Sequence, residues 1–126
     1  MSKVVIVFEN GIRTMVDLRS DGTDTARRML ELLPIASTAN TWGDEVYFSV
    51  PFHADLEKDA RAEMEVGDVA FWPDGDAVAI FFGPTPSSIG KKPRAYSPCN
   101  ILGMVEGDPT VLRQVKPGIN LRVERQ

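Results

Sequence analysis

Turn residues cut this chain so often that no segment between them can hold more than a short strand or a few turns of helix. Asn10-Gly11 separates the apolar-rich runs Lys3 to Glu9 and Ile12 to Leu18, and that pair takes up the two positive φ angles of a type I′ turn. The chain is therefore expected to open with a β-hairpin. From Glu45 to Val50 the residues alternate, with Val46, Phe48 and Val50 on one face and Glu45, Tyr47 and Ser49 on the other. Pro73-Asp74-Gly75-Asp76 is a second turn signal, between Val69–Trp72 and Ala77–Phe82. The run Ala77 to Phe82 is apolar throughout, as in a strand covered on both faces or lining a hydrophobic groove.

Two helices interrupt the strands. Ala26, Met29, Leu30 and Leu33 recur at helical spacing after Thr23 and Asp24, which can cap, and Pro34 ends the run. Asp108-Pro109 is a cap followed by proline at a first helical position, predicting a short helix over Thr110 to Val115. Cys99 to Val105 and Ile119 to Arg125 read as strands, and the Gly-, Pro- and Ser-rich stretch from Gly83 to Pro98 as a long loop. The pattern carries neither a repeat nor a linker, so residues 1–126 are expected to form one mainly β domain: a closed β-barrel of about eight strands with two short helices at its ends.

Charge and cysteine content narrow the partners. Lys and Arg number 14 against 18 Asp and Glu, a net charge of −4, which disfavours nucleic acid and anionic membrane surfaces. Cys99 is the only cysteine, leaving no internal disulfide and no thiolate metal cluster, so neither metal nor cofactor is expected and a reducing cytoplasm is the natural compartment. The first apolar run, Val4 to Phe8, is shorter than the roughly 7–15 residues of a signal-peptide core or the ~20 of a membrane span. Assembly of identical copies is compatible with this composition.

Three blocks carry a family resemblance: Asn40-Thr41-Trp42-Gly43-Asp44-Glu45-Val46-Tyr47-Phe48, Gly67-Asp68-Val69-Ala70-Phe71-Trp72-Pro73 and Phe82-Gly83-Pro84-Thr85-Pro86. With Ala79-Ile80-Phe81-Phe82-Gly83 and Cys99-Asn100-Ile101-Leu102-Gly103-Met104-Val105 they resemble, in order, the segments of a cyclophilin-type barrel. A closer resemblance is to the small cyclophilin-like proteins of bacteria and archaea, whose function is uncharacterised. It implies a barrel with a ligand cleft on its side. It does not imply prolyl isomerase activity, because the arginine that polarises the prolyl amide in that family has no counterpart in Glu45 to Pro51. Phe82 matches a cleft position of the isomerases, whereas a family glutamine is replaced by Ile80 and a histidine by Cys99.

The expected cleft is built from Trp42, Glu45, Tyr47, Trp72, Phe82, Thr85, Ser87, Ser88, Arg94 and Cys99, with a small molecule or short peptide as its ligand and no catalytic residue assigned. Trp42 and Trp72 stand beside turn residues, which suits the rim of a cleft. Asp44 and Glu45 would point to opposite strand faces, so they form no carboxylate pair, and Glu45 is assigned to the cleft. Lys91, Lys92 and Arg94 make a local basic cluster able to draw an anionic ligand. Two rival readings are an enzyme, either a degenerate isomerase or a small-amide hydrolase using Ser87, His53 or Cys99, and an interaction module that presents a strand edge. For the hydrolase, the chain lacks the Gly-x-Ser-x-Gly elbow.

Overall fold

The computed structural model of the chain describes residues 2–126. Strands β1 (Ser2–Phe8) and β2 (Arg13–Leu18) form the opening hairpin. Its turn differs from the expected type I′. Only Gly11 takes a positive φ, +95°, while the Gly11 amide bonds to the Phe8 carbonyl and the Phe8 amide to the Ile12 carbonyl. This is the three-residue loop in which a glycine forms a bulge, and the Asn10 side chain completes it by accepting from the Ile12 amide at 3.1 Å.

Helix α1 (Asp24–Glu31) follows, capped by the Thr23 hydroxyl, which accepts from the Ala26 amide. It turns Ala26 and Met29 into the core. Then come β3 (Ile35–Thr38), β4 (Asn40–Thr41), β5 (Glu45–Ser49), β6 (Arg61–Glu63), β7 (Asp68–Trp72) and β8 (Ala77–Phe81). Strand β9 (Arg94–Glu106), a 3₁₀ helix (Pro109–Gln114) and β10 (Asn120–Arg125) complete the chain. Asp108 caps the 3₁₀ segment by accepting from the Thr110 amide, and Leu112 anchors it to the core. None of the helices among the described residues is long and apolar enough to cross a membrane.

The strands pair antiparallel in the order β3-β10-β1-β2-β9-β7-β8-β5-β4, with β6 added on the first part of β9. The fold is thus mainly β, but the described residues form ten strands rather than about eight, and their ladder does not close as the sequence led us to expect. The reason lies at Ala39. Strands β3 and β4 stand at opposite ends of the ladder, yet this one residue joins them. Ala39 still bonds to the β10 side, donating to the Ile119 carbonyl and accepting from the Gly118 amide, before Asn40 pairs with Tyr47 of β5. The chain itself spans the last seam, helped by the Ser37 hydroxyl, which donates to the Ser49 carbonyl at 2.7 Å.

Alternation along each strand separates two apolar clusters. The interior one takes Ile6, Val16, Phe48, Phe71, Ile80, Leu102 and Val123 among others. A smaller one lies on the outer face of β5, β8, β7 and β9, built on Met64, Ala70, Ala79, Phe81, Ala95 and Cys99. Between the sheet and the 50–60 segment sits a fully buried polar side chain, Asn100. Its amide nitrogen donates to the Thr25 hydroxyl (3.0 Å) and the Asp55 carbonyl (2.9 Å), and its oxygen accepts from the Glu57 amide (2.8 Å). It fastens α1 and this segment to β9. Asn100→Ala removes the side-chain partner of the Glu57 amide and the Asp55 carbonyl, while the Thr25 hydroxyl keeps its bond to Glu57, and we expect the change to cost about 3 kcal/mol in urea unfolding. A cost under about 1 kcal/mol, the range of an ordinary surface change, would show that the segment is held by other contacts.

Candidate functional site

The outer faces of β5, β8 and β7 would form a flat apolar surface but for the size of their side chains. Ala77 and Ala79 of β8 and Ala95 of β9 leave a hollow, and large rings stand around it. Trp42 follows β4, Tyr47 projects from β5, Trp72 ends β7 and Tyr96 comes from the early part of β9. The resulting pocket holds about 250 Å³, just below the usual range for drug-sized ligands and suited to a small one.

Each wall has a physical reason for its place. The Trp72 indole lies over Gly75, where a Cβ would come within 2.2 Å of the ring, so no other residue fits beneath it. Its Nε1 donates to the Ser97 hydroxyl at 2.6 Å, and that hydroxyl donates to Asp74 at 3.1 Å. Tyr96 stands edge-on to both tryptophans, at 6.2 Å and 73° from Trp42 and at 6.2 Å and 85° from Trp72. The tyrosine is itself 74% exposed, so it is the outer wall of a box whose inner walls are covered.

Besides Tyr47 and Tyr96, two ionisable side chains face this apolar space. Glu45 is only 8% exposed and its Oε1 has no hydrogen-bond partner. Burial pushes its carboxyl from the ordinary 4.5 up to about 8. Cys99 is buried, its thiol donating weakly to the Ser97 carbonyl at 3.4 Å. Burial first, then the negative charges of Glu45 and Asp74, push it up to about 12, so at neutral pH it is a thiol and a poor nucleophile.

Of the residues assigned to the cleft from sequence, Trp42, Glu45, Tyr47, Trp72 and Cys99 come together here. The other five lie elsewhere. Phe82 faces the interior cluster, with the Arg113 guanidinium 5.5 Å from its ring centroid. Thr85 is buried; its hydroxyl donates to the Arg94 carbonyl and accepts from the Ser87 amide at 3.2 Å. The Ser88 hydroxyl accepts from the Thr85 amide at 2.9 Å and donates to the Lys92 carbonyl at 2.7 Å. Those hydroxyls close their own loop.

Two members of the basic cluster are likewise spent on neighbours, Arg94 meeting Glu63 at 3.5 Å and Lys92 meeting Glu65 at 2.9 Å, while Lys91 is exposed and does not line the pocket. Both nitrogens of His53 face carboxylates, Asp76 at 2.6 Å and Asp55 at 3.3 Å, leaving neither for a serine. Among the described residues, no group of three His, Cys, Asp or Glu side chains is placed to hold a metal ion. The sequence reading missed Tyr96 and Ala95 because it took Gly83 to Pro98 as loop, whereas β9 begins at Arg94; Ala77 and Ala79 lie in the apolar run it read as a strand that could line a groove.

With this geometry in place, the comparisons agree with the resemblance seen in the sequence. A family model described as Cyclophilin-like matches residues 2–124, and the chain belongs to that family. Among solved structures, it is similar to the solution structure of the hypothetical protein AF2241 from Archaeoglobus fulgidus. The match has a TM-score of 0.82 at 35% identity, covering 99% of this chain and 95% of that one. No curated protein matches.

The unpaired carboxyl has a measurable consequence for stability. Because the folded pKa of Glu45 is raised, its neutral form favours the fold below pH 4.5, and that contribution is lost as pH rises through about 8. Glu45→Gln removes the titration. We expect the variant to be more stable than the parent at pH 9, with the difference shrinking toward pH 4, as read by thermal melts across that range. Parallel profiles for the two proteins would show that Glu45 is solvated in solution.

Proposed function

We propose that this protein binds a small molecule or short peptide in the outer pocket of β5, β8, β7 and β9, and that it is not a prolyl isomerase. The observation that carries the reading is the pocket itself: aromatic walls around an alanine floor, with one polar group inside it lacking a partner. Large exposed rings and small floor residues together give a concave, mostly apolar site with few directing groups, the usual make-up of a ligand pocket. The buried, protonated thiol of Cys99 fits a reducing compartment, and we place the protein in the cytoplasm.

Against isomerase activity stands the charge of the lining. Twisting a prolyl bond must overcome a barrier of roughly 18–20 kcal/mol, which a cation near the prolyl nitrogen lowers by weakening amide conjugation. The lining contains no Arg, Lys or His, and the nearby Arg94 is directed at Glu63. The hydrolase reading is weaker still, since Ser87, His53 and Cys99 do not meet and the thiol is held protonated. In a proline-tetrapeptide assay we expect no acceleration at catalytic protein concentrations. Acceleration abolished by Arg94→Ala would show that this arginine swings into the cleft.

A second measurement addresses binding directly. Protein purified gently from its source cells should carry a small adduct in native mass spectrometry. Trp72→Ala should lose that adduct, because removing an aromatic anchor typically costs about 2 kcal/mol or more of binding. A melt on the same variant separates this from damage to the fold, since truncating a fully buried tryptophan costs about 3–5 kcal/mol of stability. Retention of the adduct by a folded Trp72→Ala protein would place the ligand elsewhere.

A further inference from the structure

The pocket has a charge preference written into its lining. Of its side chains, Glu45 alone is a carboxylic acid, and no basic side chain among the described residues lines the space. An anion entering it would meet no counter-charge. A cation would meet aromatic rings and the Glu45 carboxyl, whose buried Oε1 lacks a donor. The rings are arranged for this. Tyr96 stands nearly perpendicular to both Trp42 and Trp72, so three ring planes box one space, with Tyr47 and Phe81 adding to its walls. The negative faces of such rings attract ammonium groups, most strongly where water is excluded.

From this geometry, and resting on the binding function proposed above, we propose that the pocket recognises an organic ammonium ion. Its N–H points to the Glu45 carboxyl and its apolar body lies against Trp42, Trp72 and Tyr96. The ammonium could belong to a free amine or to a lysine side chain carried by a peptide. In either case the recognised chemistry is a nitrogen cation on an apolar stem, small enough for about 250 Å³.

The same arrangement makes binding depend on pH. Glu45 sits on β5, and the titratable groups facing it are few: Tyr47 on its own strand, and Tyr96 and Cys99 on β9. Strand β8 contributes only Ala77, Ala79 and Phe81, and β7 only Trp72. Asp74, in the turn after β7, is held by Ser97. Asp44, next in sequence to Glu45, is turned away toward Arg113 at 3.2 Å. With a carboxyl that ionises near 8, a cation must displace a proton at lower pH. Affinity for the cation should therefore rise with pH by up to about tenfold per unit below pH 8 and level off above it.

Both tryptophans of the chain line the pocket, so intrinsic fluorescence reports its occupancy. The full-length protein is titrated with benzylammonium, with benzyl alcohol as an uncharged analogue of similar size and with benzoate as an anion, between about pH 6 and pH 8.5. N-acetyl-lysinamide is added as a fourth probe. We expect benzylammonium or the capped lysine to bind at least ~10-fold more tightly than the alcohol at pH 8.5, with benzoate weakest. Tighter binding of the capped lysine would assign a peptide source and tighter benzylammonium a free amine; both uphold the inference. Glu45→Gln, which keeps the shape and removes the charge, should abolish the preference and flatten the pH profile. Tyr96→Ala, at an exposed position that the fold does not need, should weaken the cation several-fold. Equal or tighter binding of benzyl alcohol or benzoate, or a Glu45→Gln protein with unchanged cation affinity, overturns the ammonium assignment while the pocket remains a binding site. If none of the four probes perturbs the tryptophans and no adduct accompanies the purified protein, the binding reading falls with it.

Discussion

Strand β8 has to be apolar on both faces because it is covered on both, and the rest of the structure is arranged around that demand. Its odd and even residues enter different clusters: Val78 and Ile80 pack inward with Phe48, Phe71 and Leu102, while Ala77, Ala79 and Phe81 face outward. A strand buried on one side only could carry polar residues on the other. Here the outer side must be roofed, and the roof is made from the early part of β9, held in place by β6 through the pairs Arg61 with Cys99 and Glu63 with Arg94. Since the outward residues of β8 at the pocket are mostly alanine, the roof does not close down onto the sheet. The double burial produces the core and the pocket in one step.

Seen this way, the long strand β9 does two jobs with one segment. Its second half pairs with β7 and β2 and belongs to the main sheet, whereas its first half leaves that sheet and pairs only with β6. Pro98 lies between the halves and supplies no amide for a ladder. The loop from Gly83 onward, tied by Thr85 to the Arg94 carbonyl and by Ser88 to Lys92, sets where the first half begins. Hydroxyls that look available in the sequence are therefore structural, and the site is made by what they position.

This also explains which parts were legible in the sequence. Strands with local signals were plain: the alternation of Val46 and Phe48, the apolar run of β8, the first hairpin, and the capped starts of both helices. The family segments around Trp42, Trp72 and Phe82 were legible too. Three things were not. Strands β3, β4 and β6 carry few residues and owe their existence to partners far along the chain, such as Ile35 against Val123 and Asn40 against Tyr47. The start of β9 is hidden by Gly, Pro and Ser, whose local preference is for loops but which tertiary pairing overrides. The facing of Phe82 was misjudged because it lies one residue beyond β8, where alternation from Phe81 sends it inward. Within the site, Trp42, Glu45, Tyr47, Trp72 and Cys99 were readable because each sits on, or beside, a strand whose register could be followed.

Two buried polar side chains are the reason we propose the pocket, and not another feature, as the functional part. Asn100 and Glu45 are both deep in the structure, and both lie on strands next to apolar neighbours. Asn100 has its amide and carbonyl groups bonded to α1 and the 50–60 segment, as expected of a group whose work is to hold the fold together. Glu45 has no partner for Oε1 and no cation in ion-pair contact among the described residues. Thr14, Asp17 and Glu57 also carry an unbonded buried oxygen, but none of them lines this pocket, and the other oxygen of Glu57 accepts from both the amide and the hydroxyl of Thr25. An unsatisfied buried polar group costs about 1–3 kcal/mol, more for a charged one, so Glu45 weakens the fold at the position it occupies. Nothing in the packing requires an acid there, since Tyr47 and Phe81 already supply the apolar surface. A carboxyl kept at such a cost, inside a space bounded by aromatic rings, is what the proposed ligand would account for, since it would bring the missing partner from outside the chain.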